Sequence, residues 1–244
     1  MKKRNGWVAI AVWMLFSTFS GCVPAQKATA PTPAPEPRSS GAVVGDIPET
    51  LAILPFENNS VTEPERFAPL SKGLSAMLTT DLKNAGTALK LIEREKIQAL
   101  LKEVALSQSG SVDPSTAVQV GRMLGAQAIA FGSFMVLGKD VRMDLRIIQV
   151  ETSELIMAES IVGNADAFID LERKLAGKIA GSLKIALQPA GTAGGSDINA
   201  ALYFSQGLEA LDRGDRAEAD RLFAKAVAAD PAYQSQVDEA LLGR

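Results

Sequence analysis

The feature that most restricts the fold is a run of prolines near the N-terminus. Pro24, Pro31, Pro33, Pro35 and Pro37 are five of the chain's 12 prolines and are interleaved with alanine. Proline fixes φ and removes a backbone donor, so neither a helix nor a sheet ladder runs through such a segment. Residues 22–48 therefore read as an extended, polyproline-like tether. At about 3.1 Å per residue it reaches up to roughly 80 Å. Folding is confined to the residues beyond it.

The residues ahead of the tether are an address. Lys2, Lys3 and Arg4 lead into an apolar stretch from Trp7 to Phe19. That stretch is short for a membrane span, which takes about 20 residues, and suits a secretory leader. It ends in Phe19-Ser20-Gly21-Cys22. Small residues before the chain's one cysteine resemble the lipobox of bacterial lipoproteins. The resemblance implies that residues 1–21 are a signal peptide and that Cys22 becomes the lipidated, palmitate-bearing N-terminus. Val23, where an aspartate would favour the inner membrane, implies a lipid-anchored protein of the outer membrane that faces the periplasm. The other reading of Cys22 is a free or buried thiol behind an ordinary signal peptide.

Composition removes whole classes of chemistry. The chain has no histidine and one cysteine, so histidine bases, Ser-His-Asp or Cys-His nucleophiles and thiolate zinc cages are excluded. The formal charge is −3, and loss of three positive charges with the leader takes it to −6. A net-acidic domain with no long basic stripe is a poor partner for nucleic acid. Gly121, Gly125 and Gly132 are too widely spaced for a phosphate loop and read as close-packing positions. Glu57, Asp81, Glu93 and Arg94 form no obvious catalytic pair; Glu93 and Arg94 fit a structural ion pair at a strand end. The sequence thus points to no catalytic residue, no cofactor, no metal and no small-molecule substrate.

Residues 49–187 carry the periodicities of one α/β domain. Leu51–Phe56 is a continuous apolar run, as in a strand buried on both faces. Phe67, Leu70, Leu74, Met77, Leu78 and Leu82 form a helical stripe. A short strand comes next at Leu89–Glu93, then a helix marked by Ile97, Leu100, Leu101 and Val104, stopped near Ser109-Gly110-Ser111. Asp113-Pro114 opens a third helix and Gly125 closes it. Gln127–Leu137, Val141–Val150 and Leu155–Val162 read as strands, the first two joined by a tight turn at Gly138-Lys139-Asp140. A long helix through Phe168, Leu171, Leu175, Ile179 and Leu183 completes the order β-α-β-α-α-β-β-β-α. The expected class is α/β (α+β), a mixed sheet covered by helices.

Five segments in this order resemble a known family. They are L-A-I-L-P-F-E-N-N-S at 51–60, L-T-T-D-L at 78–82, L-I-E-R at 91–94, Q-S-G at 108–110 and G-R-M-L-G-A-Q-A-I-A-F-G-S at 121–133. Together they are similar to the CsgG family, the curli production assembly/transport component, and to the related N-terminal domain of TolB type. The resemblance implies a non-enzymatic assembly, transport or scaffold role in the cell envelope. The family's secretion channel crosses the outer membrane with long donated hairpins, and a membrane strand takes about 9–11 residues. The 127–150 hairpin turns too tightly to hold them, so the chain is not expected to be the pore itself. The alternative is a tethered lipoprotein regulator that activates a peptidoglycan synthase or another envelope enzyme, which the long tether suits.

A Gly-rich linker at 188–196 precedes residues 197–244. There Tyr203, Gly207, Ala219, Phe223, Ala226 and Pro231 fall at the spacings of a tetratricopeptide repeat, with the turn at Gly214-Asp215. One such helical pair cannot bury its face alone. It packs on the α/β domain, on a second copy or on a partner, and the sequence leaves these open. Arg142, Asp144 and Arg146 alternate with Val141, Met143, Leu145 and Ile147, which makes one strand face charged and the other apolar. The charged face is either solvated or a contact surface. Arg142, Asp144, Arg146, Tyr203 and Phe223 are therefore the candidate interaction residues, with a protein partner or self-association expected.

Overall fold

The computed structural model describes residues 48–85, 88–103, 113–185 and 198–242. The leader, Cys22 and its tether, the loop at Ser109-Gly110-Ser111 and the 188–196 linker lie outside these residues. Strand β1 (Thr50–Ile53) is succeeded by β2 (Glu57–Asn58) and helices α1 (Pro64–Phe67) and α2 (Leu70–Asn84). Then come β3 (Lys90–Leu91), α3 (Arg94–Glu103) and α4 (Pro114–Leu124). Strands β4 (Ala128–Leu137), β5 (Asp140–Gln149) and β6 (Leu155–Asn164) lead to α5 (Phe168–Ser182). The C-terminal part is α6 (Ile198–Asp212), α7 (Arg216–Ala229) and α8 (Gln234–Leu242).

The α/β class and the element order agree with the sequence pattern, with additions. Pro69 interrupts the first helical stripe, so Phe67 ends the four-residue α1 and the stripe resumes in α2. Strand β2 has two residues, too few to show a period. Helix α8 makes the C-terminal part three helices; Val237 is buried, and Ala240 and Leu241 pack beside it in a stripe only one turn long. The caps of α4 are as the residue types require. The Asp113 side chain accepts from the Ser115 and Thr116 amides, and Gly125 closes the helix at φ 67°.

The sheet has six strands in the order β3-β1-β4-β5-β6, with β2 also paired to β4. β1, β2 and β3 pair in parallel and the β4-β5-β6 meander is antiparallel. A bulge at Ile147/Ile148 shifts the β5–β6 register near the start of β6. One sheet face, carrying Val141, Met143, Leu145 and Ile147, packs on α2 and α5. The same continuous core runs on through Phe204, Leu208, Phe223 and Tyr233. The C-terminal helices thus bury their apolar faces in cis, chiefly where α6 crosses α2. That crossing needs Gly73: a Cβ there would lie 1.7 Å from Ser205 Oγ. The opposite sheet face is covered by α3 and α4 only over Ala52, Leu54, Ile129, Phe131, Ile148 and Val150.

Candidate interaction surface

Among the described residues, nothing covers that second face beyond α3 and α4. Register places Phe131, Arg146 and Ala158 in one row across β4, β5 and β6. Ser133, Asp144 and Ser160 form the next row, and Met135, Arg142 and Val162 the third. The result is a trough of about 650 Å³ with a polar floor, bounded by Glu57 on one side and by Asp113 and Pro114 on another. Strand alternation forces this outcome: once Val141, Met143 and Leu145 are buried, their neighbours must face the other way.

Arg142 and Asp144, two apart on one strand, form a bidentate pair. Arg142 Nη2 donates to Oδ1 at 2.7 Å and Nε donates to Oδ2 at 2.8 Å. This hydrogen bond holds the Asp144 carboxyl below its usual range, with the Ser160 hydroxyl and the Arg146 charge adding to it. Arg146 remains exposed on the floor. The structure therefore brings together the three charged residues that the alternation of β5 singled out.

The two aromatics are placed elsewhere and differently. Tyr203 is half-buried on α6, with the Lys225 ammonium 5.5 Å from its ring centre. Phe223 is 2% exposed; its ring lies 5.8 Å from that of Phe204, and a Cβ on Gly207 would sit 2.5 Å from it. It fills the inside of the helical pair and presents no surface, because the close approach permitted by Gly207 is occupied by its own ring.

A second polar cluster is illegible in the sequence. Asp81 of α2 accepts from Gln236 Nε2 of α8 at 2.8 Å and shares a hydrogen bond with Glu172 of α5. Glu172 is 1% exposed, and burial, reinforced by the Asp81 charge, pushes its carboxyl well above the ordinary range. Burial also raises Asp81, against the pull of Arg173. Tyr233, fully buried beside them, donates to Met77 Sδ at 3.4 Å. These groups come from helices far apart in the chain, and no local spacing announces them. Nearby, Glu93 and Arg94 pair outward and not with each other. Lys83 reaches Glu93 at 3.0 Å and Glu239 at 2.5 Å, while Arg94 reaches Asp212 at 2.7 Å. Burial opposes ionisation of Asp212, yet the hydrogen bonds from Arg94 and Lys72 keep its carboxyl low. These pairs pin α6 and α8 to the α2–α3 side. Among the described residues no group of three or more acidic or thiol side chains is placed to hold a metal.

Part of the chain is similar to a known family and to several solved structures. Residues 47–142 match the family "Curli production assembly/transport component CsgG". The resemblance read from the five sequence segments is thereby shown, from the lead-in to β1 as far as Arg142. No curated protein matches the chain. Among solved structures it is similar to the LpoB C-terminal domain from Salmonella enterica, at 17% identity and a TM-score of 0.35. That match covers 50% of this chain and 87% of that one. Lipoprotein GNA1162 from Neisseria meningitidis gives 16% identity and a TM-score of 0.41, covering 56% and 99%. The PelC dodecamer from Paraburkholderia phytofirmans gives 12% identity and a TM-score of 0.38, covering 57% and 89%.

Proposed function

We propose that this chain is a non-enzymatic lipoprotein of the cell envelope, a CsgG-like scaffold or assembly component. In this reading it is anchored through Cys22 in the outer membrane, faces the periplasm and reaches its partners on a Pro/Ala-rich tether. The observation that carries the reading is the order of parts: leader, lipobox-like Phe19-Ser20-Gly21-Cys22, proline-rich segment, then a domain matching the CsgG family from residue 47. A lipid and a long spacer are of use to a domain that works by meeting another protein at a fixed distance from a membrane. The trough around Arg142, Asp144 and Arg146 is the part of the domain best suited to that meeting.

The short connections between strands support a role other than the pore. β4 turns into β5 through Gly138-Lys139, β5 into β6 through residues 150–154, and all three strands are ten residues long. Every one of these strands lies in the helix-backed sheet. The length of the tether favours a second reading, a regulator that reaches an envelope enzyme such as a peptidoglycan synthase.

Metabolic labelling with palmitate tests the anchor. The full-length chain takes up label and sediments with outer membranes, and Cys22→Ser loses both. A Cys22→Ser chain that keeps its label sinks the proposal. Isolation of the lipidated chain with its neighbours then separates the two readings: envelope assembly components support the scaffold, and a peptidoglycan synthase supports the regulator.

A further inference from the structure

The two edges of the sheet are built differently. β3, at one edge, has two residues and gives way at once to α3. β6, at the other, has ten residues, and among the described residues nothing pairs with its outer side. Proteins protect such an edge with lysine, proline, a bulge in mid-strand or a covering loop. The sequence of β6, LIMAESIVGN, contains no lysine, arginine or proline. Its one charge, Glu159, is held by Lys178 of α5 at 2.7 Å. The bulge lies near its start, leaving the run from Met157 onward regular. Two large apolar side chains of this strand stand exposed, Leu155 at 56% and Val162 at 64%.

We infer that β6 pairs antiparallel with β6 of a second copy of this chain, about a two-fold axis through Ser160, joining two sheets into one. A strand whose single charge is already paired with Lys178 selects no charged partner, and it is complementary to itself in one register above all. Keeping the helices of both copies on the same side requires residues of equal parity to meet. Centring on Glu159 would set two like charges directly opposite, which destabilises a strand pair. Centring on Ser160 sets hydroxyl against hydroxyl and Ala158 against Val162 of the partner subunit on the open face. On the helix face it sets Glu159 against the partner's Ile161. Among registers of equal parity this is also the longest free of a Glu–Glu pair. The polar floor of the trough then continues across the seam, as Asp144–Ser160 and then the same row reversed.

A seam made of one strand from each copy is narrow beside the broad interfaces, roughly 1,200–2,000 Å², of stable complexes. The pairing therefore forms where lipid anchors concentrate the chains and is weak in dilute solution. The inference deepens the proposed function and rests on it for the shared membrane.

Disulfide trapping tests it, because the only native cysteine is Cys22. The full-length chain is reconstituted in phosphatidylethanolamine/phosphatidylglycerol vesicles carrying Ser160→Cys or Leu155→Cys, with the unsubstituted chain as background. In the proposed register the Ser160 Cβ atoms lie about 4.5–5.5 Å apart. The two Leu155 positions, equally open to solvent, lie about 30 Å apart at 3.3 Å per residue. Ser160→Cys is expected to cross-link at least about tenfold faster than Leu155→Cys, as proximity requires, and Val162→Lys to slow it. Equal rates at the two positions overturn the pairing, as does a Ser160→Cys disulfide to a different envelope protein in cell membranes without the homodimer. A chain that sediments with membranes yet fails to cross-link loses the pairing and keeps the anchor. A chain that cross-links only when concentrated, and does not sediment, keeps the pairing and loses the anchor.

Discussion

Arg142 and Asp144 on the open sheet face, and Asp81 and Glu172 beneath the C-terminal helices, are two close polar pairs made from ordinary surface residue types. The first lies in water, where opposite charges meet at little cost and the hydrogen bond lowers the Asp144 carboxyl. The second is a pair of like acids packed between three helices, where burial raises both carboxyls, that of Glu172 the more strongly. Removing water reverses the direction in which a carboxyl's pKa is shifted. Among the described residues, one side of the sheet thus keeps its charges in water, and the other is sealed by the chain's own C-terminal helices.

The contrast can be broken from its sealed side first. Phe204, fully buried between Phe223 and Tyr233, joins the helical part to the sheet-covering helices. Phe204→Ala is expected to cost about 3–5 kcal/mol, read as a large fall in Tm, with α6–α8 gaining amide exchange before the sheet does. Uniform exchange across both parts would show that they do not share a core. Gly73→Ala comes second, at about 1–3 kcal/mol for overpacking, since Ser205 is held by its own bond to Ala201 O at 2.6 Å. Ser205→Gly in the same chain should restore most of the loss, and additive losses would place the crossing elsewhere.

A third change sharpens the electrostatic side. Asp81 and Glu172 titrate higher in the fold than in the unfolded chain, so the folded state keeps protons that the unfolded chain has released. Their contribution is complete below the ordinary carboxylate range and is lost as pH rises through the raised values. Stability should therefore fall as pH climbs from 4.5. Glu172→Gln, neutral at every pH, should flatten that slope and raise Tm at the upper end. An unchanged slope would show that the pair does not set it. The smallest effect belongs to the open face: Arg142→Ala should leave Tm unchanged within error, because the pair is exposed and such pairs contribute little. A marked fall would show that the trough is part of the fold's stability and not a free surface.

Much of the α/β domain was legible. The apolar run at 51–56, the three- and four-residue spacings of α2 and α5, Asp113-Pro114 and Gly125 are local signals whose physics is local. What escaped was short or weakly patterned. β2 has two residues and displays no period, and the stripe of α8 (Val237, Ala240 and Leu241) is a single turn. The charged face of β5 was legible for the same reason that its apolar face was, since alternation fixes both at once. Phe223 was legible as part of a helical pair, but its spacing says nothing of whether a ring points into the pair or away from it.

The sequence by itself determined most of the elements and the two-faced character of β5, because each depends on neighbours within a few residues. Only the tertiary structure decided that α6–α8 close on α2 and α5 in cis, through the gap left by Gly73. It also decided that Asp81, Glu172 and Gln236 meet in a largely buried site, and that no described strand pairs with the outer edge of β6. Those outcomes depend on which distant surfaces exclude water from each other, and that is a property of the packed chain that no stretch of it carries alone.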